Sequence, residues 1–424
     1  MRKPGLEESS GASARRAASD SGLLARVTLL RALRHREYRL LFSAFVINQV
    51  GFWVSHISLQ GLMADLTDSD PFRLGMFFFA LFSPAFFLAP IAGVAADRFD
   101  RKRIMLVCYA ALATVMLGLA LLCHAELATA NLLLLIGSIL GATFAFSGPA
   151  SAAVAANAVQ PEDLSSAVSL QSAANNLTRV LGPAVAAPLI ASRSYAVSFG
   201  VFGTAAVTAG LLTAFMRLSP YEREIGGGGV LARVKGGLVH ARERKPAIPA
   251  LVTVGVLSIF GVSHIALLPA FAQGVLGDKD LFAWLVAATG IGAMCGAIST
   301  SNESKPSLRK AAVRLALYGC AVAVFASTRH FMVALVAQLV VGYFYFAVMT
   351  GLQTLLQQVV DESKRGRVMS LFQVAWAGLT PFGALAMGAL AKTIGVAATI
   401  TAAAAVCFSF GCLMTMLAKP RPAS

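Results

Sequence analysis

Three side chains in this sequence could do chemistry where their neighbours could not. His56, His264 and Arg179 each lie inside a long apolar run. Imidazole has an unperturbed pKa of ~6.5, so a histidine so placed can carry a proton or hydrogen-bond a polar ligand. The two histidines occupy twin hexapeptides, Val54-Ser55-His56-Ile57-Ser58-Leu59 and Val262-Ser263-His264-Ile265-Ala266-Leu267. Both fall about sixteen residues into their runs, or ~24 Å at the helical rise. Three readings of the pair stay open: a functional pair, a structural pair bonded to backbone carbonyls or serines, and a metal pair. Two histidines without a carboxylate make a poor site, so no metal is expected. Arginine at a helix centre costs about 2.5–3.5 kcal/mol on insertion scales. Arg179 therefore reads as a cationic post for an anionic substrate or a gate partner, or else as a buried hydrogen-bond hub. Asn175 and Asn176 lie one turn before it. Pro183, one turn after, cannot donate to the carbonyl at 179 and helps bend the helix. The interiors of the apolar runs hold no Asp, Glu or Lys, the groups that usually carry coupled protons.

Membrane helices must position these groups. Apolar residues make up 57% of the 424 residues and charged ones 13%, against roughly 25% charged in a soluble domain. Windows long enough to cross a bilayer fall at 40–63, 73–96, 104–123, 131–156, 166–191 and 195–216. They resume at 247–271, 281–300, 311–328, 331–357, 368–391 and 396–418. The expected organisation is a tail with an interfacial basic helix (1–38), a six-helix bundle (39–217), a linker (218–246), a second bundle (247–418) and a short tail (419–424). Leu23, Val27, Leu30 and Leu33, interleaved with arginines, suit a helix lying in the headgroup layer. Gly137/Gly141 and Gly292/Gly296 predict close helix contacts.

The formal charge of +15 could suggest nucleic acid. The basic residues sit in inter-helix loops, however, which points to topology and to anionic membrane lipids instead. Segments on the side of the termini carry 29 of the 35 Lys/Arg, which places both termini in the cytoplasm. The first twenty residues lack the apolar core of a signal peptide. The six cysteines, without CxxC spacing, read as small hydrophobes. No phosphate-loop pattern and no nucleophile with a nearby base is present, so neither an enzyme nor a cofactor is expected.

Between two runs free of ionisable groups lies Gly93-Val94-Ala95-Ala96-Asp97-Arg98-Phe99-Asp100-Arg101-Lys102-Arg103. Its spacing G-x-x-x-D-R-x-x-R-[KR], with twelve spans in two related halves and a basic linker, resembles the major facilitator superfamily of transporters. Asn175-Asn176-Leu177-Thr178-Arg179-Val180-Leu181-Gly182-Pro183 and Glu37-Tyr38-Arg39-Leu40-Leu41-Phe42 are similar to its bacterial exporters of siderophores and macrolides. The resemblance covers about residues 35–418.

The resemblance implies an all-α polytopic membrane protein, twelve transmembrane helices in two pseudo-symmetric six-helix bundles, with the substrate path at their interface. It implies that His56 and His264 face each other or a shared ligand. Asn48, Gln49, Trp53, Phe144, Phe260, Tyr343, Tyr345 and Gln353 would form the cavity wall. Gly93, Asp97, Arg98, Arg101 and Lys102 would form a cytoplasmic latch, docking near Arg367, with Gly182 and Pro183 completing the gate. Three departures stand out. Asp100 replaces the usual glycine, although Asp tolerates a left-handed turn better than most residues. The second half keeps no copy of Asp97, and span 4 lacks the arginine that many proton-coupled relatives carry. The implied function is a monomeric secondary transporter of the bacterial inner membrane, exporting a small-molecule substrate with protons as coupling ion. Uptake, uniport and a transport-inactive sensor are the alternatives.

Overall fold

The computed structural model describes residues 30–217, 238–301, 303 and 305–418. Segments 1–29, 218–237 and 419–424, which hold most of the expected tails and linker, lie outside the described residues. Six helices form the first half: α1 (Arg36–Leu66), α2 (Pro71–Arg98), α3 (Arg101–His124), α4 (Ala130–Asn157), α5 (Leu164–Ala191) and α6 (Tyr195–Ala214). Six more form the second: α7 (Ala247–Leu276), α8 (Phe282–Ser301), α9 (Leu308–Ser327), α10 (Phe331–Val359), α11 (Glu362–Ile394) and α12 (Val396–Leu417). Eleven are long and apolar enough to cross a membrane, and α5 matches them in length with 28 residues. No strand occurs among the described residues. Val107, Leu121, Leu135 and Val336 stand more than half exposed, as apolar side chains do where helices meet lipid rather than water. With an even number of crossings, α1 begins and α12 finishes at the same end. We call it proximal, and the opposite end distal.

Helix starts follow their sequences. Pro71 opens α2, and Asp70 accepts from the backbone N–H groups of Phe72 and Arg73. Asp100 does the same for α3, accepting from Lys102 and Arg103. It sits at φ −61°, so the left-handed turn expected there does not form; the aspartate is an N-cap. Lys102 reaches the other way, and its Nζ donates to the carbonyls of Ala214 and Met216, closing the C-terminus of α6.

Glycines set the closest crossings, and they do so in pairs across the two halves. A Cβ at Gly141 would strike the Leu81 carbonyl, packing α4 on α2. At Gly292 and Gly296 it would strike the carbonyls of Leu339 and Tyr343, packing α8 on α10. Gly182 presses α5 onto Trp53 of α1, and Gly383 presses α11 onto Ile259 and Ser263 of α7.

The proximal ends also echo one another. Before α1, Arg31, Arg34 and His35 converge on Asp163 at the head of α5, a side chain with no exposed surface. Before α7, residues 238–243 are helical, and His240 with Arg244 reaches Asp361 at the head of α11. The hydrogen bond from His35, reinforced by Arg34 and Arg31 and opposed by burial, holds the Asp163 carboxyl below the usual carboxylate range.

α7 is not a regular helix. A π turn (Leu257–Gly261) runs into a 3-10 turn (Val262–Leu267) and then Pro269. Proline has no N–H to give the Ile265 carbonyl one turn earlier, which accepts instead from the backbone N–H of Leu268 in the tighter 3-10 pattern. Gln60 of α1 adds a second donor from the other half, with Nε2 donating to Ile265 O at 2.9 Å. At the distal end the halves are tied further. Asp65 pairs with Lys279, Asp70 with Lys392, and Asp68 accepts from Gln273. At the proximal end the ion pairs Arg244–Asp361 and Arg314–Glu303 each stay within one half.

Candidate functional site

Gln49, Trp53, His56 and Gln60 recur on α1 at spacings that share one helix face. On α5, Gln171, Asn175 and Arg179 do likewise. The two faces meet because Gly182 has no side chain. The Gln49 amide donates to Asn175 Oδ1 at 2.6 Å, fastening the seam. Arg179, near the middle of α5, lies with Cζ 5.3 Å from the Trp53 ring centroid and 4.8 Å from that of Phe346 on α10. The guanidinium is thus held between aromatic faces from both halves, each of which attracts a cation. Its Nε is buried without a hydrogen-bond partner, and no carboxylate among the described residues pairs with it.

The twin histidines take different positions. His56 is enclosed by aromatic rings of its own half, stacked on Phe52 at 5.8 Å with the edges of Trp53, Phe78 and Phe82 around it. Its Nδ1 has no hydrogen-bond partner. His264, in the 3-10 turn of α7, donates from Nδ1 to the Gly261 carbonyl at 2.5 Å. That tautomer leaves Nε2 to accept from the Gln338 amide at 3.3 Å, and Gln338 Oε1 accepts from Thr289 at 2.9 Å. No ring contact joins the two histidines, of which the resemblance implies that they face each other or a shared ligand. The twin hexapeptides diverge because the π and 3-10 turns of α7 reorient one copy, while α1 stays α-helical.

A cleft of about 600 Å³, counting its open mouth, lies beside the seam within the first half. Asn48, Gln49 and Phe52 of α1 line it with Tyr109 of α3 and Phe144 and Ser147 of α4. Asn48 Oδ1 is buried and unpartnered. Phe52 stacks on Phe144 at 6.0 Å and meets Trp53 at 5.5 Å, so the cleft abuts the arginine sandwich. Across the interface, Tyr345 OH accepts from Trp376 Nε1 at 2.6 Å. Tyr343 packs edge-on against Phe344. Phe260 packs on the core of the second half, and Gln353 is half-buried nearer the proximal end of α10.

Of the expected latch, Gly93 faces open space and Arg98 is exposed, Arg101 is half-buried, and Lys102 caps α6. The side chains of Asp97, Asn176 and Pro183 lie outside those described. Sequence reasoning missed Phe346, Trp376, Gln338 and Gln60. Nothing sets Phe346 apart among 27 phenylalanines, whereas a glutamine one turn beyond His56 was a usable signal.

The family model described as "Transmembrane secretion effector", a major facilitator family, matches residues 27–423. An uncharacterized transporter of the same superfamily from Bacillus subtilis (strain 168), YfiS, is 26% identical over 395 residues, covering 89% of this chain and 90% of its own. Among solved structures, the nucleoside transporter NupG (D323A mutant) superposes with TM-score 0.71 at 14% identity, covering 90% of this chain and all of its own. A peptide transporter crystallised with sulfate gives 0.72 at 11% identity, over 90% of this chain and 94% of its own. At such identities these structures speak to the fold alone.

Proposed function

The chain belongs to the transmembrane secretion effector family of major facilitator transporters, and we propose that it exports a small amphipathic molecule, of the size of a siderophore or a macrolide, across the bacterial inner membrane. The observation that carries this reading is Arg179, a cation at mid-span touching both halves at once. A ligand seated there contacts both moving parts, as alternating access requires. The family description, secretion, supports the outward direction. With the Lys/Arg-rich proximal end taken as cytoplasmic, the distal ties support a conformation joined on the outer side.

Proton exchange, where it drives the cycle, has one candidate carrier at this site. His56 has a free ring nitrogen inside an aromatic box suited to a cation, while both nitrogens of His264 are engaged. The test of export is accumulation of a panel of siderophores, macrolides and dyes in cells with and without the protein, each with and without an uncoupler. Lower accumulation of one panel member in expressing cells is expected. Higher accumulation would turn the reading to uptake, and no difference for any member would refute transport of this class.

A further inference from the structure

We propose that the site takes an amphipathic organic anion, and that the anion's charge moves outward with it, so that the membrane potential by itself can drive export. The proposal deepens the exporter reading and rests on it. Arg179 has no counter-ion among the described residues. Four carboxylates at the helix ends are committed elsewhere: Asp65 to Lys279 and Arg193, Asp163 to Arg31 and Arg34, Glu303 to Lys310 and Arg314, Asp361 to Arg244. Two aromatic faces compensate a cation only in part, and a buried charge left unpaired is strongly unfavourable. The unpartnered Nε marks where compensation is missing. A planar carboxylate or a sulfonate would supply it, since a guanidinium binds such groups in a fork.

The rest of the ligand is specified by the neighbouring cleft. Phe52, Phe144 and Tyr109 offer an apolar, aromatic wall, and Asn48 Oδ1 offers one buried acceptor for a ligand hydroxyl or N–H. Phe52 and Trp53 are adjacent rings, so body and charge are held side by side. A cationic amphipath meets Arg179 instead, and His56, in contact with the same Trp53 ring, adds further repulsion when protonated.

The energetic consequence follows from charge alone. Substrate anion and Arg179 together are neutral, and each complete cycle carries one negative charge outward. An inside-negative potential favours that movement, by about tenfold in the substrate gradient for each ~60 mV. No intramembrane carboxylate is then required, which agrees with span interiors that hold no Asp, Glu or Lys.

Two probes of equal body and opposite permanent charge test this: naphthalene-2-sulfonate and naphthyl-trimethylammonium. The full chain is placed in proteoliposomes, and a potassium gradient with valinomycin sets the potential. Sulfonate is expected to gather on the positive side, about tenfold for each ~60 mV, and the ammonium probe to stay put. Arg179→Gln should abolish the sulfonate preference and Arg179→Lys should keep part of it. Should Arg179→Gln fail to fold, the wild-type contrast between the probes decides. Movement of the ammonium probe as readily as the sulfonate would leave the exporter reading standing and overturn the anion. Sulfonate movement that ignores the potential and follows a pH gradient would overturn the charge-carrying step. If neither probe moves and the panel of the preceding experiment is also unmoved, the exporter reading fails and this proposal with it. If a panel member does move, only the anion is refuted.

Discussion

Lys279→Met isolates one distal tie between the halves. Lys279 reaches from the second half to Asp65, while Arg193 at 3.1 Å and the Tyr195 hydroxyl at 2.9 Å hold the same carboxylate from within the first half. Removing Lys279 therefore takes away a cross-half contact without leaving Asp65 bare. The lysine side chain is 26% exposed and the aspartate 14%. That lies between an exposed pair, worth about 0–1 kcal/mol, and a buried pair, whose breaking costs about 3–5 kcal/mol. A value of about 1–2 kcal/mol is appropriate, which weights the distal-open state roughly 5–30-fold more. Pulsed electron-electron resonance between labels at Leu127 and Arg329, both exposed distal-loop positions in opposite halves, reads that population. The six native cysteines call for labels attached by non-thiol chemistry. Lys279→Met should add a longer-distance component, while Arg193→Met, which breaks a contact inside one half, should add far less. High salt should reproduce part of the shift by screening the pair. An unchanged distance distribution in Lys279→Met would refute the role of this distal tie.

Three further outcomes are expected. Gly182→Ala places a methyl against Trp53, so stability in detergent should fall by about 1–3 kcal/mol through overpacking, and substrate affinity should fall with it as Trp53 leaves Arg179. An alanine variant with native melting and native affinity would contradict the crossing. His56→Gln should remove any dependence of transport on a pH gradient, whereas His264→Gln should lower thermal stability and leave that dependence intact; measured in proteoliposomes, the reverse pattern would exchange the two roles. Asp163→Asn should be less stable than wild type at neutral pH. Because the carboxyl is held below its ordinary range by His35 and the two arginines, its contribution is present above the unfolded value of ~3.9 and is lost as pH falls through the native value. Melting curves of the two proteins should therefore converge in acid. A difference that persists there would assign the effect to packing.

Much of this arrangement was legible in one dimension. Runs of apolar residues about twenty long located the helices, because an element crossing lipid must satisfy its backbone internally and show hydrocarbon outward. Glycine spacing announced the crossings at Gly137/Gly141 and Gly292/Gly296. Arg179 stood out on cost alone. The histidines show the boundary of such reasoning. Their hexapeptides agree at five of six positions, yet Pro269 downstream and the π and 3-10 turns of α7 set His264 against Gln338 while His56 sits in a box of phenylalanines. Asp100 is a smaller case of the same kind. The aspartate could have held a left-handed turn, and it caps a helix instead.

The loop spacing at 93–103, the twelve apolar runs and an arginine within one of them were determined by the sequence itself, because lipid imposes a nearly local rule on every residue that meets it. What surrounds Arg179 was decided only by the tertiary structure. Trp53, 126 positions earlier, and Phe346, 167 positions later, reach it through a glycine that lets two helices touch and through the association of the two halves. No local pattern encodes such meetings, since each depends on packing between elements far apart in the chain. That no described carboxylate meets Arg179 is therefore a property of the fold.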